Sequence, residues 1–290
     1  MNRQSAFFVA MFTLTYGFCQ KERILSNDPS EDRYASYSPS GDKILFESNR
    51  NGNWDIFVMD ADGRNQKQLT TSVADDRRPD WHPSAKKILF ESDREEKNQL
   101  YEFTMRNGQE RKIELGKIEG EPIYARYSPD GKRLAFSLRQ SEDVANIFIS
   151  DDQGVNPKSV TNTNYRTIYP NWSPDGKRIV FFSRHETGNA DDEIYTINTE
   201  GTDEKRLTNW PKHNFCPQWS KDGKLIAYVT SMENSRPEIY IMDANGQNQQ
   251  RVTNNADGDT LPSWSADGKK LLVTGYRNEN YEICEITLKQ

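Results

Sequence analysis

The chain has 290 residues, of which 34% are hydrophobic, 28% charged and 11% aromatic, and its net charge is −6. That apolar share falls below the roughly 45–50% of an ordinary globular chain counted with glycine. It argues against one large core, while 13 Tyr, 13 Phe and 6 Trp can build several small ones and argue against a disordered chain. Acids and bases are interspersed without a basic stripe, so no nucleic-acid partner is expected.

The first segment stands apart from the rest. Arg3 is its only charge before Lys21, and Ala6 to Phe18 form an apolar run of 13 residues. This is too short for a membrane span and suits the apolar region of a secretory signal, so residues 1–20 are expected to be an export signal, cleaved after Cys19 or Gln20. The alternative is a lipoprotein signal, in which Cys19 would carry the acyl anchor. No later stretch is apolar enough to span a membrane. Cys216 and Cys284 fall in different repeats and are expected to be buried free thiols.

From Lys21 onward the chain repeats. Lys21-Glu-Arg-Ile-Leu-Ser-Asn27 reads as a short strand and matches Lys205-Arg-Leu-Thr-Asn209 further on. Six turn lines follow, beginning with Ala35-Ser-Tyr-Ser-Pro-Ser-Gly-Asp42 and Pro79-Asp-Trp-His-Pro-Ser-Ala-Lys86. Then come Ala125-Arg-Tyr-Ser-Pro-Asp-Gly-Lys132, Pro170-Asn-Trp-Ser-Pro-Asp-Gly-Lys177, Pro217-Gln-Trp-Ser-Lys-Asp-Gly-Lys224 and Pro262-Ser-Trp-Ser-Ala-Asp-Gly-Lys269. The shared Ser or His falls at 38, 82, 128, 173, 220 and 265, a period typical of four-stranded propeller blades. Within each repeat the first strand ends at the aromatic residue. A tight turn follows, in which Pro presets φ and Gly takes a positive φ. Second strands such as Ile44-Leu-Phe-Glu47, third strands such as Glu193-Ile-Tyr-Thr196 and short fourth strands such as Arg251-Val-Thr253 complete the unit. Asp60-Ala-Asp-Gly63 resembles a calcium loop but lacks the bidentate Glu at the required spacing, and reads as a hairpin turn. The last repeat ends just past its third strand. The segment from Lys21 to Asn27 is therefore expected to supply the missing fourth strand and close the ring, giving an all-β, six-bladed propeller over residues 21–290.

The line Pro-x-Trp-Ser-Pro-Asp-Gly-Lys, followed by Ile-Tyr, Asp-Gly and Arg-Leu-Thr, resembles the repeats of the TolB-like β-propeller family. The resemblance covers residues 21–290 and is carried by turn and strand residues. It implies an exported, monomeric scaffold that holds a protein or peptide partner in the cell envelope. TolB carries an N-terminal domain before its propeller, and with residues 21–36 alone between the signal and the first aromatic marker, Tyr37, that domain is expected to be absent here.

Propeller geometry puts the short Ser-Pro-Asp-Gly and Asp-Ala-Asp-Gly turns on one face. The other face carries the long, irregular loops 49–54, 93–98, 138–145, 184–192, 231–237 and 275–280. A rigid scaffold with one variable face places the expected site there. The candidates at that channel mouth, just before the first strands, are Arg33, Tyr34, Arg77, Arg78, Arg166 and Tyr169, with Trp210, His213 and Phe215 in one loop. Arg and aromatic side chains anchor peptide or anionic partners. A solvated rim of surface pairs such as Asp76 with Arg77 is the plainer alternative. Asp32, Asp76 and Asp259 each lie six residues before the Ser/His marker and could crowd charge that a Ca²⁺ ion would relieve, or each could cap its own loop.

Catalysis is not expected. The chain has three histidines, His82, His185 and His213, and no Gly-x-Ser-x-Gly, His-Glu-x-x-His, Cys-x-x-Cys or Walker motif. A carbohydrate-active propeller, either a lyase or a glycosidase with a spatial carboxylate pair, is the enzyme alternative. A sensor of small anions at the Arg-lined mouth is a third.

Overall fold

The computed structural model describes residues 21–187, 191–209, 213–231 and 236–289. The expected signal at residues 1–20, with Cys19, and the candidate Trp210 lie outside the described residues. Alternating strand signals become six antiparallel four-stranded sheets. After the N-terminal strand β1 (Lys21–Ile24), blade one is β2 (Asp32–Tyr37), β3 (Lys43–Ser48), β4 (Asp55–Asp60) and β5 (Lys67–Gln68). Blade two is β6 (Asp76–Trp81), β7 (Lys87–Ser92), β8 (Gln99–Thr104) and β9 (Glu110–Lys112). Blade three is β10 (Glu121–Tyr127), β11 (Arg133–Arg139), β12 (Ala145–Asp151) and β13 (Lys158–Ser159). Blade four is β14 (Thr167–Trp172), β15 (Arg178–Ser183), β16 (Glu193–Asn198) and β17 (Lys205–Arg206). Blade five is β18 (Asn214–Trp219), β19 (Leu225–Thr230), β20 (Glu238–Asp243) and β21 (Gln250–Arg251). Blade six is β22 (Asp259–Trp264), β23 (Lys270–Arg277) and β24 (Asn280–Thr287), completed by β1.

The first strands neighbour one another in cyclic order, and β2 meets β22 to close the ring. β1 pairs with β24 from Lys21 opposite Thr287 to Ile24 opposite Cys284, and Leu25 N–H continues the ladder to Ile283 O at 2.8 Å. Chain closure is thus non-covalent, as the two matching ends require. The second and third strands are buried on both faces, each lying between neighbouring blades, and their Ile, Leu, Val and Phe residues form the small inter-blade cores. This explains how a chain with little apolar content folds. Each blade needs only a thin core against the next one. Cys216 and Cys284 are buried free thiols.

Turn chemistry follows the sequence. Ser128 Oγ donates to Asp130 at 2.6 Å and accepts from Arg133 N–H, and Ser173, Ser220 and Ser265 repeat the pattern. In blade two His82 stands in for the Ser. Its Nδ1 accepts from Ser84 N–H, its Nε2 lies 3.3 Å from Gly131 O, and its ring meets Tyr127 edge-on. A Cβ at Gly131, where φ is +71°, would fall 2.5 Å from His82 Nε2, so that close contact requires glycine. One loop differs from expectation. Residues 275–277 and 280 belong to strands, and blade six turns on Asn278 and Glu279 alone, both with positive φ as in a type I′ hairpin.

Candidate functional site

The channel is shaped by a feature of the first strands that recurs in every blade. Tyr34, Arg78, Tyr124, Tyr169, Cys216 and Leu261 occupy the same repeat position, and all have φ between 50° and 64°. The ladder to the second strand shifts register there in each blade. A left-handed non-Gly residue costs on the order of 1–3 kcal/mol, so the surroundings must hold it. They do so across blades. Arg78 N–H donates to Glu47 at 2.6 Å, Tyr124 N–H to Glu91, Tyr169 N–H to Ser137 at 3.2 Å and Tyr34 N–H to Thr274 at 3.3 Å. Each acceptor sits on the second strand of the preceding blade, at one repeat position. Phe182 and Val229 hold that position in blades four and five. One side of the channel is therefore polar and the other apolar.

These bulged residues fill the channel. Arg78 lies over the Tyr124 ring at 4.5 Å and donates to Glu91 at 2.6 Å. Tyr124 packs on Tyr169, Tyr169 on Phe182 and Phe182 on Phe215. Burial pushes the phenols of Tyr34, Tyr124 and Tyr169 up, so they remain neutral donors. Burial also raises the Glu47 carboxyl, against the opposing hydrogen bond and charge of Arg78. Arg33, Tyr34, Arg77, Arg78, Tyr169 and Phe215 thus lie within the first strands, not in the loops before them, and Tyr34, Arg78 and Tyr169 are channel plugs. The bulge turns them inward.

Above the plug, on the variable-loop face, opens a cleft of about 870 Å³. It brings together Arg77, Arg78 and Arg166 of the expected set with Tyr124, Arg139, Asp75, Asp93, Glu96, Glu121 and Glu142. Several of these charges are paired: Arg77 with Asp75 at 2.8 Å and Arg139 with Glu121 at 2.6 Å. Arg166 reaches Asp192 only at 4.0 Å. Beside the cleft, Arg33 and Arg77 both sit on the Trp54 ring, at 5.2 and 4.9 Å, and Arg33 also covers Tyr281 at 4.2 Å. The Nε atoms of Arg33, Arg77 and Arg166 are buried without a hydrogen-bond partner. His213 Nδ1 lies 3.1 Å from Asp192, and Phe215 packs into the apolar side of the channel. Tyr124, Glu47 and Glu91 were missed, although Tyr124 holds the repeat position of Tyr34 and Tyr169. The bulge that gives this position its role leaves no sequence signature.

Asp32, Asp76 and Asp259 are fully buried, and each is held by an arginine of its own blade. Arg50 Nη2 spans both Asp32 oxygens at 3.0 Å, Arg94 Nη2 lies 3.0 Å from Asp76, and Arg277 Nη2 lies 2.7 Å from Asp259. Burial raises the three carboxyls, and the arginines oppose it. The charge that a Ca²⁺ would neutralise is here met by guanidinium. Among the described residues no group of three or more His, Cys, Asp or Glu is placed to hold a metal. The opposite mouth, about 360 Å³, is ringed by the aromatic markers and prolines, with Asp80 and Arg126 4.0 Å apart.

No curated protein matches the chain. Among solved structures, TolB from Acinetobacter baumannii superposes with a TM-score of 0.67 at 23% identity, covering 90% of this chain and 64% of that one. The chain thus spans less than two thirds of that protein. A provisionally assigned TolB from Agrobacterium tumefaciens gives 0.73 at 20% identity, covering 92% and 94%. An oligogalacturonate lyase in complex with manganese gives 0.65 at 17% identity, covering 95% of each. At such identities the likeness is one of fold. The family model of the TolB β-propeller domain matches residues 14–144 and 121–290, and the chain belongs to that family.

Proposed function

We propose that the protein is an exported, non-catalytic scaffold of the cell envelope that engages a protein or peptide partner at its variable-loop face. The observation that carries this reading is the cleft of about 870 Å³ above a plugged channel, where Arg77 and Arg166 converge beside the Arg33–Trp54–Arg77 stack. A rigid rim of guanidinium and aromatic surface suits an acidic or aromatic peptide, and such residues dominate binding energy at interfaces. The resemblance to TolB structures agrees with an envelope role. Two carboxylates of the cleft, Asp75 and Glu121, are engaged by Arg77 and Arg139, which disfavours these two as a general acid or base.

The test is capture of partners from an envelope extract, comparing the native protein with Arg77→Glu/Arg166→Glu. Arg78 is unsuitable, because it holds the plug together. A partner retained by the native protein and lost by the double variant supports the reading. A partner bound equally by both moves the site off this face. Turnover of a polysaccharide by the purified protein would replace the scaffold reading with an enzymatic one.

A further inference from the structure

The channel has a second end, and its polar groups do not close on themselves. On the uniform-turn side the mouth of about 360 Å³ is lined by Ser36, Asp80, Arg126, Asn171, Gln218 and Ser263, which share the repeat position two before the Ser/His marker. Side chains at this position bridge to the next blade. Asp80 accepts from Tyr127 N–H at 2.8 Å, Gln218 accepts from Trp264 N–H at 3.2 Å, and Asn171 donates to Pro217 O at 2.9 Å.

Arg126 makes no such bridge. Its guanidinium lies 5.6 Å from the Tyr169 ring of the plug. Nη1 donates to the adjacent Ala125 O at 3.0 Å, and Nε stops 4.0 Å from Asp80 Oδ1. Elsewhere arginines close on their aspartates, Arg50 on Asp32 at 3.0 Å and Arg277 on Asp259 at 2.7 Å. Nε and Nη2 of Arg126 therefore have no hydrogen-bond partner among the described residues, and neither is sealed from solvent.

A second cation stands at the rim. Where blades one to four have Pro39, Pro83, Pro129 and Pro174 after the marker, blade five has Lys221, which lines the same mouth. Lys221 is exposed, and its charge acts on Asp80 of blade two, across the ring from blade five. The charged lining is Arg126 and Lys221 against Asp80 alone, so positive charge is in surplus. Burial raises the Asp80 carboxyl, opposed by Arg126 and the Tyr127 N–H, and a proton held there widens that surplus. The rest of the wall is neutral, and the volume lies within the roughly 300–1,000 Å³ of small-molecule sites.

We propose that this mouth binds a small oxyanion, a phosphate or carboxylate group, on the Arg126 guanidinium with Lys221 at the rim. The edge carrying Nε and one Nη is a fork that matches two oxygens of such a group, and it is the edge left open here. The site lies at the end of the channel away from the proposed partner face and does not rest on that reading.

The experiment follows the Arg126 Nε–H resonance in ¹⁵N-labelled protein as sodium phosphate or, separately, sodium acetate replaces sodium chloride at constant ionic strength. A saturable shift with at least one of the two is expected, and the tighter anion names the group. Lys221→Gln should weaken binding by ~threefold, the scale of one exposed charge. Asp80→Asn removes the competing carboxylate and keeps an acceptor for Tyr127 N–H, so it should tighten binding by ~threefold or more. Opposite shifts from the two variants cannot come from poor folding. No saturable shift with either anion, or weaker binding in Asp80→Asn, would overturn the proposal.

Discussion

Blades five and six make the same bond between third and fourth strands, but in blade six the two strands come from opposite ends of the chain. In blade five Glu238 accepts from Thr253 Oγ1 at 2.6 Å and from Arg251 Nη2 at 3.0 Å, while Ile239 N–H donates to Thr253. In blade six Glu282 accepts from Ser26 Oγ at 2.6 Å, and Ile283 N–H donates to Ser26 at 2.9 Å. Two residues before Ser26, where blade five has Arg251, stands the exposed Ile24. The closing carboxylate lacks that cation. Burial pushes Glu282 up to about 7, helped by nearby Asp32 and Asp28 and opposed by Ser26 and Arg50. The comparison teaches that a strand from the other end of the chain closes the ring with the bonds of an ordinary blade, and that the flanking cation sets whether the closure carries an uncompensated charge.

The largest expected effect is removal of the seam. Deleting residues 21–27 takes away β1, the buried Leu25 and Ser26, and exposes the edge of β24. A loss of ~4 kcal/mol or more is expected, a large part of the stability of an ordinary domain. Thermal melting measures it, and an unchanged melt would break the closure. Next come Ser26→Ala, which strands the buried Glu282 carboxylate and Ile283 N–H, and Thr253→Ala, which strands Ile239 N–H while Glu238 keeps Arg251. Each should cost about 2–3 kcal/mol in urea unfolding. A much smaller loss for Ser26→Ala would mean that the seam is frayed in solution while blade five is not.

The pH dependence sharpens the contrast. A raised carboxyl pKa means that the folded state holds its proton more tightly, so Glu282 costs nothing below its ordinary value of 4.5 and progressively destabilises as pH rises to about 7. The loss should be of order 2 kcal/mol, at about 1.4 kcal/mol per pKa unit and reduced for solvent screening. Urea midpoints at the two ends of this window should differ in the native chain and converge in Glu282→Gln. Asp55, pushed up to about 6 by burial, and the carboxyls of Asp32, Asp76, Asp259 and Glu47, which burial also raises, would leave a remaining slope. A native chain without slope would refute an uncompensated Glu282. The smallest effect is Ile24→Arg, which restores the cation of blade five. It should stabilise by ~0.5–1 kcal/mol at the alkaline end and by nothing at the acidic end. Equal gains at both ends would show that the arginine acts by packing.

The fold was legible because its determinants are local. Ser-Pro-Asp-Gly turns, aromatic strand ends and a steady period fix hairpins and blade count, and Lys21–Asn27 repeats the fourth-strand pattern that the last repeat lacks. The faces were legible for the same reason, since loop length is read directly. The candidate site was legible only in part: arginines of the variable-loop mouth could be named, but not which of them face solvent. Tyr34, Arg78 and Tyr169 plug the channel because of a bulge whose left-handed residues are Tyr, Arg, Cys and Leu, types that do not announce it. Asp32, Asp76 and Asp259 looked like a shared cluster along the chain, but each is paired within its own blade. Arg133 and Arg178 hold one repeat position, yet Arg133 reaches across to Gly176 while Arg178 binds Asp203. Repetition in the sequence sets the architecture. The side-chain partners lie far along the chain, on other strands or other blades, and tertiary packing alone brings them together.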